Sequence, residues 1–261
     1  MKIACVGDNC IDYYDDSGLA FPGGNPVNVA VYLKRLGAES SYLGAVGTDR
    51  YGELLLRRLA EKGVDISHVQ LMAGSTALCH VTHVCGDRIL GSYDEGVMAS
   101  FALRREDLAF LRSFDLVVTG LWGHVENDLE EIRSMGIPVA FDGAERPFDP
   151  AGRTALKHTD IAFFSDDRTD GKCLKEKIRE VAGSGPRVVV ATRGSKGSIA
   201  FDGRQFYTYP PAKCDVVDTM GAGDSYIAGF LYAWLQEKPP LQCMKEGTEN
   251  AAVTISYSGA W

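Results

Sequence analysis

The sequence carries seven cysteines, at positions 5, 10, 79, 85, 173, 214 and 243, but no C-x-x-C pair. An odd number in no ligand spacing excludes both a disulfide framework and a zinc site, and a reducing cytosol is expected. Basic residues are outnumbered, with Lys+Arg at 27 against Asp+Glu at 35 and a net charge of −8. A surface for nucleic acid or an anionic membrane needs clustered cations, so neither partner is expected. No apolar run approaches the roughly 20 residues of a membrane span. The opening "MKIACVGDNCID" is broken at Gly7 and Asp8, which suits a strand and turn and not a signal peptide. Internal repeats, low-complexity tracts and long linkers are also missing, so one main domain over 1–261 is expected.

What the chain does have is 45% hydrophobic residues in 261, enough for one sizeable core. The stretches "KIACVG", "SSYLGAVG", "DLVVTGL", "IPVAFDG", "DIAFF" and "RVVVATRG" are continuous apolar runs of strand length, as in strands buried on both faces. Helical patterns lie between them at 25–37, 50–63 and 126–136, the first and third closed by glycine. This alternation predicts an α/β fold with a mostly parallel sheet and helices on both sides. Residues 76–97 depart from it: "CHVTHV" and "RILGSY" flank Gly86-Asp87, a hairpin signal in a half-exposed pattern. A small inserted β-flap fits, and such flaps close over ligands.

Three stretches carry chemistry. In "DTMGAGD" (218–224) two glycines and an acid precede a strongly apolar helix. One reading is a plain turn with Asp224 as helix cap. The other is an anion hole, in which glycines let backbone N–H groups converge at a helix N-terminus and Asp224 removes a proton from an attacking hydroxyl. In "GGNPVNVA" (23–30), Gly23 and Gly24 permit close approach of a ligand. Asn28 can both donate to and accept from hydroxyls, or simply end a helix. The pattern is not G-x-G-x-x-G, which argues against a dinucleotide site. Asp12 stands after the first strand, where open α/β sheets collect ligands, although it shares that loop with Asp15 and Asp16. In "VATRGSKGSIAFDG" (190–203) Lys196 invites a phosphate-loop reading, but the full motif is absent; a nucleotide along the turn and a bare β-turn both fit.

The order of "GGNPVNVA", "GAVGTDRYG" (44–52), "TRGSKGS" (192–198) and "DTMGAGD" along the chain resembles the ribokinase or pfkB family of sugar kinases. The resemblance implies a ribokinase-like three-layer α/β/α fold with a small β-lid formed by about 12–22 and 76–97. It implies a cytoplasmic ATP-dependent carbohydrate kinase, using ATP with Mg2+ and, as in several relatives, a monovalent cation such as K+ near Asp218 and Met220. Asp224 would be the catalytic base and Gly221, Ala222 and Gly223 the anion hole. Asp12, Gly23, Gly24 and Asn28 would hold the sugar, while Thr192, Gly194, Gly197, Asn250 and Arg146 would border the nucleotide. Within the family the likeness is to members that phosphorylate fructoselysine, an Amadori product of lysine, at its primary 6-hydroxyl. Asp94 and Glu95 in the flap would then meet the lysine moiety. Pairing of two copies through the lid is also implied.

The sequence departs from the family pattern in two places. The N-x-x-E motif of many members is replaced by "FFSDDRTD", with Ser165 and Arg168 at its ends, leaving Asp166, Asp167 or phosphate oxygens to meet the metal. The D-x-N-x-R pattern becomes "DGAER", keeping Asp142 and Arg146 but placing Ala144 where asparagine is usual.

Overall fold

The computed structural model describes residues 1–84 and 87–261, apart from the side chains of 83–84 and 87–90. Along the chain run β1 (Lys2–Val6), β2 (Cys10–Tyr14), β3 (Leu19–Gly23), α1 (Asn25–Arg35), β4 (Glu39–Leu43), β5 (Ala45–Gly47), α2 (Arg50–Glu61) and β6 (Gln70–Met72). Next come β7 (Leu78–Val84), β8 (Asp87–Asp94), α3 (Arg105–Leu111), β9 (Leu116–Gly120), α4 (Leu129–Ser134), β10 (Val139–Asp142), α5 (Pro150–Leu156), β11 (Ile161–Ser165) and α6 (Gly171–Gly183). The remaining strands and helices are β12 (Val188–Thr192), β13 (Ser198–Phe201), β14 (Phe206–Tyr209), α7 (Ala222–Trp234) and α8 (Pro240–Thr254).

Eight strands form the main sheet in the order β14-β13-β12-β11-β10-β9-β1-β4. From β4 to β12 every pairing is parallel, and β13 and β14 add an antiparallel edge. Successive side chains on a strand point to opposite faces, and the two cores follow that alternation. Ile3 and Cys5 of β1 enter a cluster with α1, α2, α7 and α8. Ala4 and Val6 enter the other, with Leu111, Ile132, Leu156 and Ile178 from α3, α4, α5 and α6. The result is the expected three-layer α/β/α arrangement, and continuous apolar strands such as Leu116–Gly120 are buried throughout because helices cover both faces.

Two expectations were coarser than the structure. The run 40–47 is two strands, because the Gly44 carbonyl accepts from Gln70 N and the backbone leaves the main sheet there. Residues 45–47 then pair with β6 instead. The helix expected over 126–136 is shorter, spanning Leu129–Ser134, with Gly136 in the left-handed region beyond it. In "GAVGTDRYG", Asp49 caps α2 by accepting from Gly52 N at 2.8 Å and also holds the Thr76 hydroxyl at 2.7 Å, so this motif fastens α2 to the foot of β7.

A second sheet, β3-β2-β7-β8, lies apart from the first. It takes its strands from residues 10–23 and 78–94. β7 and β8 pair antiparallel as expected; Gly86 of the expected turn lies outside the described residues.

The carboxyl end of β1 meets the turn after β9 at very close range. Gly7 has φ +126°, and a Cβ there would sit 2.5 Å from Gly123 Cα, a backbone contact that no rotamer change relieves. Gly7→Ala is expected to cost about 2–3 kcal/mol, read as a lowered urea midpoint with an unchanged slope.

Candidate active site

The carboxyl ends of β1, β9 and β10 converge on the N-terminal turns of α1 and α7. Asp224 lies in the first turn of α7, where helix N–H groups have no intrahelical partners and the dipole favours negative charge. The helix begins only because Gly221, its cap, adopts the left-handed conformation (φ 69°). A Cβ on Gly221 would also lie 2.2 Å from the Tyr32 hydroxyl.

Two asparagines of α1 fix the Asp224 carboxylate. Asn25 Nδ2 donates to Asp224 Oδ1 at 2.7 Å and Asn28 Nδ2 to Asp224 Oδ2 at 2.7 Å. Asn25 Nδ2 also donates to Asp142 Oδ2 at 2.9 Å, and its backbone N–H to Asp8 Oδ2 at 3.3 Å. Three carboxylates, from β1, β10 and α7, are thus held around one asparagine. Burial, the largest influence, pushes Asp224 up to about 7; the charges of Asp142 and Asp8 add to this, and donation from Asn28 and Asn25 opposes it. Burial likewise lifts Asp142 and Asp8 to about 6 each. A carboxylate with its pKa near neutrality is matched to proton abstraction at physiological pH.

On one side of Asp224 a cavity of about 420 Å³ is lined by Thr192, Gly194 and Gly197, with Thr219, Ala222 and Gly223 at its floor. Ala251 of α8 and Ile255 just beyond it also line the cavity. Around the Gly223 Cα there is open space, whereas the Ala222 N–H is already engaged with Thr219 O at 3.2 Å. On the other side stands the smaller sheet. Asp12 is a residue of β2 there, and Gly23 has no side chain where a Cβ would meet Asp12 Oδ2 at 2.9 Å. Gly24, with φ +106°, passes so close to the Asn9 backbone that a Cβ would lie 2.6 Å from its Cα.

These motifs, in one fold and around one carboxylate, agree with the family model for pfkB family carbohydrate kinases, which matches residues 2–261. The chain belongs to the pfkB family. Among relatives of this pfkB kinase, fructoselysine 6-kinase of Shigella flexneri is 44% identical over 99% of both chains. Fructosamine kinase FrlD of Bacillus subtilis is 36% identical, over 100% of this chain and 93% of its own. Arabidopsis thaliana ribokinase, solved with ribose and ATP, superposes with a TM-score of 0.90 at 20% identity, covering 99% of this chain and 93% of its own. That likeness confirms the ribokinase-like fold.

Several residues expected at the pfkB site have partners of their own in the fold. Asn250 does not line the nucleotide-side cavity. Its amide donates to Ser225 O and accepts from Arg35, each at 2.7 Å, which ties α8 to α7 and α1. Arg146 is exposed, pairs with Asp149 at 3.3 Å and lies over the Trp122 ring. Asp94 Oδ1 accepts from Gly96 N at 3.0 Å, stabilising the turn after β8. Glu95 contacts His124 at 2.6 Å, which joins the foot of the smaller sheet to the turn after β9.

Asp166 is also committed. Although burial opposes it, Lys177 at 2.7 Å and Thr169 hold its carboxyl down at about 2. Conversely, the acid at the carboxyl end of β1 is Asp8, not Asp12, and the residue that gathers the carboxylates is Asn25. Asn25 stood inside "GGNPVNVA", whereas Asp8 was noted only as part of the break after the first strand. Only the fold shows that Asn25 reaches two strand ends at once.

Proposed function

We propose that this chain transfers the γ-phosphoryl group of ATP to the primary 6-hydroxyl of fructoselysine, with Asp224 as the base. The observation that carries the reaction is the Asp224 carboxylate itself. It is oriented by two amides, its pKa lies near neutrality, and it stands between a nucleotide-sized cavity and the lid-side acids. Full-length likeness to fructoselysine 6-kinase at 44% identity supports the substrate.

In this reading Asp224 takes the hydroxyl proton as the oxygen attacks phosphorus in line and the bond to the β-phosphate breaks, releasing ADP. The first-turn N–H groups of α7 around Gly223 stabilise charge on the transferring group, each worth about 3 kcal/mol; Gly221 sets their direction. Thr192, Gly194 and Gly197 border the nucleotide, and Asp12, Gly24 and Asn28 face the sugar. We read 1–261 as one kinase domain whose lid is the smaller sheet, closing to exclude water. Its exposed Leu19, Phe21 and Tyr93 support pairing of two lids, and the six described free cysteines support a reducing compartment.

Magnesium is expected to arrive on the nucleotide. Among the described residues no three His, Cys, Asp or Glu gather to hold a metal, and Asp166 is spent on Lys177. Hard Mg2+ is commonly held by substrate phosphates with few protein ligands. A monovalent cation such as K+ is left to the loop backbone, since the Asp218 carboxylate already accepts from Met220 N and Gly259 N.

ADP production with fructoselysine, fructose, ribose and a nucleoside tests this reading. Fructoselysine is expected to exceed the others in kcat/KM by about a hundredfold or more. Preference for another sugar would keep the kinase and discard the substrate; sugar binding without turnover on any would leave only a binding protein.

A further inference from the structure

Asn28 makes one hydrogen bond at each end of its amide. While Nδ2 donates to Asp224, Oδ1 accepts from Trp261 Nε1 at 2.7 Å. An indole nitrogen can only donate, so the amide must turn its oxygen to Trp261 and its nitrogen to Asp224. Turning the amide over would oppose N–H to N–H at one end and oxygen to carboxylate at the other.

Trp261 is itself held from several sides. The carbonyl of Ala260 accepts from the Tyr32 hydroxyl at 2.6 Å and the Tyr257 hydroxyl at 3.1 Å, and Gly259 N donates to Asp218 Oδ2 at 2.9 Å. Asp218 also orders the loop before α7 through Met220 N at 3.0 Å. Trp261 packs against a cluster made of Met220 and Ala260 with Tyr14, Cys79 and Val81 of the smaller sheet. One residue therefore reaches the sugar-side helix and, through one amide, the carboxylate of α7.

We infer that Trp261 is a positioning residue for phosphoryl transfer, whose indole N–H holds the Asn28 amide in the orientation that donates to Asp224. This rests on the reading of Asp224 as base. The groups facing Asp224 are Asn25, Asn28 and Tyr32 from α1, Asp142 from β10 and Asp8 after β1. No described cation stands among them. Among the described residues Asn28 is one of two side-chain donors to Asp224, and loosening it raises the pKa of the base. A base with a raised pKa is less ionised at any given pH, so activity is lost on the acid side and recovered on the alkaline side.

Trp261→Phe keeps the ring and removes the donor. The acid limb of its kcat profile is expected to move up by about one pH unit. Turnover should fall about fivefold or more near pH 6, approach the parent value above about pH 9, and leave the KM for ATP unchanged. In an Asn28→Ala background the same substitution should have no further effect on kcat. A fall of equal size at every pH, or an undiminished effect in that background, would mean that Trp261 only supports the fold.

A second readout needs no turnover. The Trp261 indole N–H resonance, identified by its loss in Trp261→Phe, should titrate with a midpoint near 7 in the parent and cease to titrate in Asp224→Asn. An indole signal indifferent to pH would overturn the relay even in an active kinase. A titrating signal in a chain that phosphorylates no sugar would keep the relay and discard only the reaction.

Discussion

Asp224→Asn is expected to lower turnover by about a thousandfold while leaving ATP and sugar binding within a few-fold of the parent. The amide has the shape of the carboxylate but cannot accept the proton of the attacking hydroxyl, and loss of a general base removes about 10²–10⁴-fold. The remaining activity would come from positioning and the helix N-terminus, which the substitution leaves in place. Stability should move the other way. The folded pKa of Asp224 is raised, so its ionised form disfavours the fold: this cost is absent below the unfolded value near 3.8 and grows until pH passes about 7. Asp142 and Asp8, raised to about 6, add to the same trend. The neutral variant should therefore be more stable than the parent at about pH 8, by about 2 kcal/mol after allowance for solvent screening, and no different near pH 4. Titration calorimetry with nucleotide and urea denaturation at two pH values check both halves. Loss of binding and folding together with turnover would show that Asp224 is structural.

Asn25→Asp is expected to do more damage to the fold than any other conservative change at the site. It removes the donor shared by Asp142 at 2.9 Å and Asp224 at 2.7 Å and sets a fourth carboxylate among three. Each lost charge-assisted bond costs about 1.5–3 kcal/mol, and like charges held close disfavour ionisation of all. A loss of about 3 kcal/mol at pH 8 is expected, shrinking toward pH 5 as the cluster takes up protons, with turnover down about a hundredfold at neutral pH. Equal destabilisation at both pH values would mean that packing, not charge, is what Asn25 supplies.

The parallel sheet and the order of its layers were legible because their cause is local. Strands buried on both faces read as unbroken apolar runs, and helices between them show a 3.6-residue stripe. "DTMGAGD" was legible for a similar reason, since a left-handed Gly221 and an acid in the first helical turn are neighbours in sequence. The carboxylate cluster was not. Asp8, Asn25, Asp142 and Asp224 are brought together by sheet topology alone, and no window of sequence contains more than two of them. For Asn250 and Arg146 the sequence context suggested the nucleotide but could not show the partners they have in the fold, Arg35 and Ser225 for one, Asp149 and Trp122 for the other. Trp261 gave no signal at all, because a tryptophan far from every motif reads as core until its indole is seen against Asn28.

Phosphoryl transfer to the sugar with Asp224 as base can be followed directly by phosphorus NMR of ATP and fructoselysine with the purified protein. One phosphomonoester per ADP formed is expected, its phosphorus coupled to the protons on carbon 6, and no such signal with Asp224→Asn. Release of inorganic phosphate without a sugar phosphate, or a sugar phosphate formed equally well by the variant, would contradict it.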